Sequence, residues 1–250
     1  MSNIKEQVQQ LAFARRLELI GHVYQSTHGR VHTGPFKGMT IVPKVSWGDG
    51  DIGSKLLGLY EDELHKIVIQ AVTFQPDLVV NIGCAEGYYA LGLARLLPNS
   101  EVIAVDIDSR STAICKENSE ANQLTNVQVL TEKVDTAWLI KNLQDRANPL
   151  LFVDCEGAEL ELLDPSQILA LKNCSIVVES HDCIIAGITD TLKNRFEATH
   201  TVEIVRQQTK DPYQFKFLDD FSDCDKWILV HEGRPSTMSW LYITPKNLQQ

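Results

Sequence analysis

Two apolar patterns alternate along most of this chain. Short continuous runs, Leu78 to Ile82, Glu101 to Val105, Val127 to Leu130, Leu150 to Val153 and Ser175 to Val178, carry apolar residues on both faces, as strands covered on both sides do. Between them lie stretches whose apolar residues recur three and four apart. The first is "YEDELHKIVIQAVTF", with Leu64, Ile67, Val68 and Ala71 on one face. Tyr89 to Leu97, Arg110 to Asn122, Thr136 to Leu143 and Glu159 to Leu171 follow. This alternation predicts a parallel sheet wrapped by helices. Two further strands are expected in "TVEIVRQ" and "MSWLYIT".

The first 58 residues break the pattern. Ile4 to about Ile20 places Val8, Leu11, Ala12, Ala14, Leu17 and Leu19 at roughly helical spacing, with Gly21 as a stop signal, which predicts a helix packed on the main domain. Thr33 to Gly58 is rich in Gly and Pro and holds one β-like run, Met39 to Val42. It reads as a loop-rich segment that closes over a site or covers a sheet edge. The expected organisation is therefore a helix-and-loop extension, residues 1–58, packed on a core domain of residues 59–250.

Composition narrows this picture. At 250 residues with 44% hydrophobic content the chain suits one α/β domain with an extension. A formal charge of −10 sets net repulsion against a phosphate backbone, so no nucleic-acid partner is expected. Neither a signal-peptide core nor an apolar run of membrane-spanning length is present, so no membrane partner is expected and a cytoplasmic protein is. The six cysteines never form a Cys-x-x-Cys pair. They read as small buried thiols rather than zinc ligands or disulfides.

Candidate chemistry begins at "NIGCAEG", residues 81–87. Gly83 and Gly87 follow a buried strand and precede a helix, where α/β folds bring a ligand to the carboxyl edge of the sheet. Glycine there allows close approach of the backbone. The next strand ends in Asp106, placed to accept hydrogen bonds from ribose hydroxyls. Together these describe a nucleoside site. A dinucleotide fold wants Gly-x-Gly-x-x-Gly to admit a pyrophosphate, whereas here Ala85 replaces the second glycine and the third is missing. Glu86 in the turn also disfavours a diphosphate. Gly-x-Ala-x-Gly matches instead the variable turn of class I methyltransferases, which accommodates a methionine tail. Further along, "LLFVDCEGAELELLDP" ends the fourth strand with Asp154 and Glu156, and "VVESHDC" ends the fifth with Glu179, His181 and Asp182.

On these residues the chain resembles the FkbM-like branch of the class I S-adenosylmethionine-dependent methyltransferases. The matching stretches are "KLLGLYEDEL", "VVNIGCAEGYYALGLA", "VIAVDID", "LFVDCEGAEL" and "VVESHD", roughly Lys55 to Asp182, with weaker likenesses in "RFEATH" and "EGRPSTMSWL". The resemblance implies a Rossmann-like class I methyltransferase fold, with a mostly parallel seven-stranded sheet and helices on both faces. In the usual strand order of that fold, Asp154 and Glu179 lie side by side. It also implies bound S-adenosylmethionine and O-methylation of a small-molecule hydroxyl on a natural product or sugar-like acceptor. Asn81 departs from the family pattern, which often has an acidic residue there; asparagine still accepts a hydrogen bond. The cofactor-binding set so implied is Glu61, Asn81, Gly83, Ala85, Gly87, Asp106, Ile107 and Asp154. Tyr60 and Glu61 reach the cofactor by that likeness, although an acid there is also an ordinary helix cap.

Methyl transfer from a sulfonium needs an aligned acceptor and a route for its proton. His181 is the natural base, oriented by Glu179 or Asp182, and Asp154, Glu156 and Glu179 complete the catalytic set. A divalent metal held by Asp154, Glu179 and Asp182 or His181 is compatible with such crowding, but no tight ligand motif supports it and no metal ligand is assigned. His200 and Arg195 read as structural. The fourth strand does not end in Asn-Pro-Pro-Tyr or Asp-Pro-Pro-Tyr, which disfavours a nucleobase acceptor. Tyr213 to Ser236, longer than a hairpin needs, is expected to shape the acceptor pocket while Tyr213, Phe215, Phe217 and Trp227 pack in the core. Three readings compete with O-methylation: N-methylation of a small molecule or peptide, a nicotinamide-dependent oxidoreductase, and a cofactor-binding module without catalysis.

Overall fold

The computed structural model describes residues 2–44 and 51–249. Seven strands, β1 (Leu78–Ile82), β2 (Glu101–Asp106), β3 (Val127–Thr131), β4 (Leu150–Val153), β5 (Ser175–Ser180), β6 (His200–Arg206) and β7 (Ser239–Pro245), form a sheet of order β3-β2-β1-β4-β5-β7-β6. β1 to β5 pair in parallel, and β7 runs antiparallel to both β5 and β6. The helices are α1 (Ser2–Thr27), α2 (Ile52–Leu57), α3 (His65–Thr73), α4 (Tyr88–Leu96), α5 (Ser109–Ala121), α6 (Thr136–Leu143), α7 (Glu159–Leu162), α8 (Ile188–Phe196) and α9 (Asp223–Val230). This is the parallel sheet wrapped by helices that the alternating pattern predicts, in the Rossmann-like methyltransferase arrangement that the resemblance implies. The chain passes from β1 to β2 on one side and reaches β4 on the other, so the carboxyl ends of β1 and β4 face a crevice at the switch point of the sheet.

The strands are apolar on both faces because both are covered. Val79, Phe152, Val177 and Tyr242 face one buried cluster, and Leu78, Val80, Leu151 and Val178 face the other. Each such side chain contributes roughly 1.5–3 kcal/mol on burial. The extension joins the first cluster through Leu19, Val23, Phe36, Met39, Ile41 and Leu56. Gly92 in α4 makes room for this: a Cβ there would lie 2.4 Å from the Phe36 ring.

Several sequence expectations are corrected. α1 does not stop at Gly21 but runs to Thr27. Leu19 and Val23 are buried on either side of Gly21, and such packing outweighs the roughly 1 kcal/mol that glycine costs inside a helix. The stop is Gly29, at φ +66, whose N–H reaches back to the Tyr24 carbonyl at 3.0 Å. Of the apolar positions expected to pack, Leu19 is buried and Ala12 half-buried, whereas Val8, Leu11, Ala14 and Leu17 are exposed; α1 packs instead through Arg16, Leu19 and Val23. Met39 to Val42 forms no strand, only an isolated bridge between Arg30 and Thr40. Residues 45–50 of the loop-rich segment lie outside the described residues.

The helix expected over Glu159 to Leu171 is the short α7 followed by a 3-10 turn at Leu169–Asn173. Pro165 disfavours helical geometry at the residue before it, and Asp164 accepts from Ser166 N at 2.9 Å in a competing turn. Of the cysteines, Cys84, Cys115 and Cys174 are buried as expected, Cys155 is half-buried, and Cys183 and Cys224 are exposed. Both exposed thiols stand in polar loop and helix-start sequence, where no apolar pattern carries them inward. Among the described residues no helix is long and apolar enough to cross a membrane.

Candidate functional site

A cavity of about 350 Å³ opens at the carboxyl ends of β1, β2, β4 and β5. One wall is the turn after β1. Gly83 there takes φ +75, and a Cβ on it would fall 1.6 Å from the Asp154 carbonyl oxygen, so the turn needs glycine to pass the end of β4. Asp106 at the end of β2 holds the turn from the other side. Its Oδ2 accepts from Ala85 N and its Oδ1 from Asp108 N, both at 2.9 Å. Ala85 accordingly sits at φ +46, in the region that favours glycine. A carboxylate offers about four acceptor sites, so Asp106 keeps capacity for a ligand.

Gly83, Ala85, Asp106, Ile107 and Asp154 line this cavity, whereas Glu61, Asn81 and Gly87 do not. The buried Asn81 donates its side-chain amide to the Phe152 carbonyl at 3.2 Å and so ties β1 to β4. Gly87 caps α4 at φ +92, and a Cβ there would meet Cys115 Sγ at 2.6 Å; packing against α5, not approach to a ligand, demands this glycine. Glu61 is wholly buried, receiving the Tyr89 hydroxyl at 2.6 Å and a guanidinium N–H of Arg234. Burial, with the charges of Glu232 and Asp154 nearby, outweighs Arg234 and pushes its carboxyl up to about 7.

The opposite wall joins the ends of β4 and β5. The bend Asp154 to Gly157 carries Glu156 at φ +54 and Gly157 at φ +105, a strained turn of the kind found at functional sites. His181, 3% exposed, lies beside it with Nε2 3.5 Å from Asp154 Oδ1, 3.4 Å from Glu156 Oε2 and 3.6 Å from Glu179 Oε2. Its Nδ1 meets Glu159 Oε1 at 2.6 Å. The four residues expected to do chemistry are thus brought together, with Glu159 as orienter. Neither expected orienter holds the ring by a hydrogen bond. Asp182 is turned away, accepting from Ser180, Thr189 and the Gly187 N–H. Burial would lower the His181 pKa, but the Glu159 hydrogen bond and the surrounding carboxylates outweigh it and raise it. Burial also raises Asp154, and it raises Glu179 well above the usual carboxylate range, with the Asp154 and Glu61 charges adding to the effect.

Several wall residues have no signal in motif spacing. Lys55 on α2 pairs with Asp51 at 2.7 Å and with Glu86, and its Nζ lies 4.5 Å from the Tyr60 ring centre. The acidic residue of the glycine turn is therefore neutralised from the extension. Glu132, Lys133 and Val134 follow β3 onto the wall, which the strand-end rule could have flagged. Arg234 bridges Glu61 and Glu179 while its Nε lies 3.3 Å from Glu232. Within the Tyr213 to Ser236 segment only Glu232 and Arg234 line the cavity. Of its aromatics, Phe215 is buried, Phe217 is partly buried, and Tyr213 and Trp227 pack edge-on to each other near the surface. The last two are corrections to the expected core positions: Tyr213 and Trp227 cover one another and stay 47% and 44% exposed. His200 and Arg195 are structural, His200 facing the Cys174 carbonyl at 3.2 Å and Arg195 donating to the Leu160 carbonyl at 2.6 Å.

Carboxylates outnumber basic groups on the cavity wall, which suits a ligand bearing positive charge and offers no cradle for a diphosphate. Residues 79–180 match the family model described as "Methyltransferase domain". Over 118 residues the chain is 29% identical to the ribosomal protein L11 methyltransferase of Thermotoga neapolitana, covering 47% of this chain and 39% of that protein. The chain thus spans about two fifths of the length of the curated relative it matches. Among solved structures it is similar to an rRNA methylase from Streptococcus thermophilus, at TM-score 0.49 and 11% identity over 73% of this chain and 96% of that one. It is also similar to an O-methyltransferase from Streptomyces achromogenes involved in tomaymycin synthesis, in complex with SAM, at TM-score 0.44 and 14% identity over 72% and 78% of the two chains.

Proposed function

We propose that this methyltransferase domain transfers a methyl group from S-adenosylmethionine to a hydroxyl of a small molecule, a natural product or a sugar-like acceptor. The observation that carries the reading is one cavity with two unlike walls. Asp106 and the Gly83–Ala85 turn stand on one side, and Asp154, Glu156 and Glu179 on the other, with the buried His181 directly behind them. In this reading Asp106 accepts from the ribose hydroxyls and Ile107, 75% exposed, offers an apolar surface to the adenine. Gly83 and Ala85 give the methionine part room, and the acidic lining stabilises the sulfonium and ammonium charges.

Bound S-adenosylmethionine supplies an already activated methyl group. The protein then aligns an acceptor and takes its proton. The cluster at the ends of β4 and β5 provides buried acceptors for that proton beside the turn. The test is transfer of label from S-[methyl-³H]adenosylmethionine to a panel of small-molecule alcohols, sugars, phenols and amines. Label in an alkali-stable methyl ether supports the reading. Label only in amines replaces it with N-methylation.

A further inference from the structure

We propose that the cluster at the ends of β4 and β5 binds a divalent transition-metal ion through Asp154, Glu156 and His181. The binding itself is independent of the function proposed above, whereas the ion's role in methyl transfer rests on that reading. Nε2 of His181 lies 3.4–3.6 Å from one oxygen each of Asp154, Glu156 and Glu179. These separations exceed the roughly 2.7–3.2 Å of an N–H···O hydrogen bond. They match the spacing of neighbouring ligands on one ion, because metal–ligand bonds of about 2.0–2.2 Å put tetrahedral neighbours about 3.3–3.6 Å apart. One ligand atom each from Asp154, Glu156 and His181 lies within 4.8 Å of the others.

Two further observations point to a ligand here. Glu159, fully buried, meets His181 Nδ1 at 2.6 Å and is itself held by the Gly157 N–H at 3.1 Å. With Glu159 accepting the hydrogen bond from Nδ1–H, the Nε2 lone pair of the neutral ring faces the cluster, the arrangement that supports a metal-bound histidine from behind. Asp154 Oδ1 is buried without a hydrogen-bond partner and faces that nitrogen at 3.5 Å. His181 Nε2 faces three carboxylates at once, a concentration of negative charge that a proton or a cation balances, and this histidine–carboxylate donor set is one that metal ions take. A nitrogen and carboxylate oxygens together suit Mn²⁺, Co²⁺ or Zn²⁺ better than Mg²⁺ or Ca²⁺.

Three protein ligands leave positions open for an acceptor oxygen. With an ion held by Asp154, Glu156 and His181, a bound acceptor hydroxyl would lose its proton to water as its oxygen lone pair forms the bond to the methyl carbon. The C–S bond breaks with its electrons going to sulfur, which releases S-adenosylhomocysteine.

The test treats the whole chain with a chelator, then titrates it with MnCl2 by calorimetry and with CoCl2 by visible absorption. One ion should bind per chain, with Co²⁺ giving the intense bands of a low-coordinate site. Glu156→Gln, whose side chain is 63% exposed and tolerates change without loss of fold, should weaken binding at least tenfold. His181→Ala should abolish it, and Glu159→Gln should weaken it roughly 10- to 100-fold as a positioning change. Lack of saturable binding, or equal binding by the wild-type, Glu156→Gln and His181→Ala chains, overturns the proposal. S-adenosylhomocysteine is titrated into the same metal-free protein. If it binds and the metals do not, the metal inference alone fails. If it does not bind, the cofactor reading fails and the metal result still stands.

Discussion

The two walls of the cavity are held together by different means. On the β1–β2 side the turn is fixed by backbone: Gly83 and Cys84 both donate to the Val105 carbonyl, at 2.9 and 3.1 Å, and Asp106 takes two backbone N–H groups. On the β4–β5 side the contacts are between charged side chains. Arg234 reaches Glu61 and Glu179, and His181 stands among four carboxylates. The first wall is rigid because its polar groups are satisfied. The second is poised, because buried carboxylates and an imidazole hold or release protons according to what binds there.

The comparison breaks most sharply at His181. His181→Ala, which removes the centre of the cluster that handles the acceptor and its proton, should lower turnover roughly 10²–10⁴-fold, while affinity for S-adenosylhomocysteine stays within about threefold, far less than one lost charged hydrogen bond. Steady-state kinetics and calorimetry on the same variant separate the walls. A parallel loss of affinity would show that they are not independent.

Next in size is backbone fit. Gly83→Ala drives a Cβ into the Asp154 carbonyl at 1.6 Å from a positive φ and should destabilise the fold by about 3 kcal/mol or more. Gly157→Ala shares the positive φ, but its Cβ finds its nearest atom at 3.5 Å, so only about 1 kcal/mol is expected. Urea denaturation midpoints check both. Equal costs would mean that the first wall is no tighter than the second.

Asp106→Ala should weaken S-adenosylhomocysteine binding by about 1.5–3 kcal/mol, or roughly 10- to 100-fold, and leave the metal titration unchanged. The smallest effect is a pH dependence. The Glu61 carboxyl is raised to about 7, so the folded state binds its proton more tightly than the unfolded state does. Its share of stability is full below about pH 4.3, the unfolded value, and is lost as pH rises toward 7, by at most about 1.4 kcal/mol per pH unit. Glu61→Gln should flatten the fall of Tm with pH across that window. An unchanged slope would assign the dependence to another group.

The difference between the walls also governs what the sequence discloses. Strands buried on both faces leave continuous apolar runs, so β1, β4 and their order along the chain are legible. A glycine turn followed by an acid at the next strand end is local, so the Asp106 wall is legible as well. That Gly87 serves packing against Cys115 is not, because a glycine needed for a ligand and one needed for a neighbour look alike in one dimension. His181, Asp154, Glu156 and Glu179 are visible as strand-end residues. Their orienter is not: Glu159 begins α7 like any helix-start acid. Arg234, Lys55 and Glu232 come from segments that meet the site only through tertiary packing. The Gly21 stop and the long helix after β4 failed because buried Leu19 and Val23, and the Asp164–Pro165 turn, outweighed local propensity.

The central claim is that the Asp106 wall holds S-adenosylmethionine whatever happens at the other wall. Calorimetric titration of S-adenosylhomocysteine, and separately NAD, into the wild-type, Asp106→Ala and His181→Ala chains tests it most directly. The account predicts one saturable site for S-adenosylhomocysteine in the wild-type and His181→Ala proteins, at least tenfold weaker binding in Asp106→Ala, and no heat from NAD. Undiminished binding by a folded Asp106→Ala chain, or saturable binding of NAD in place of S-adenosylhomocysteine, would contradict it.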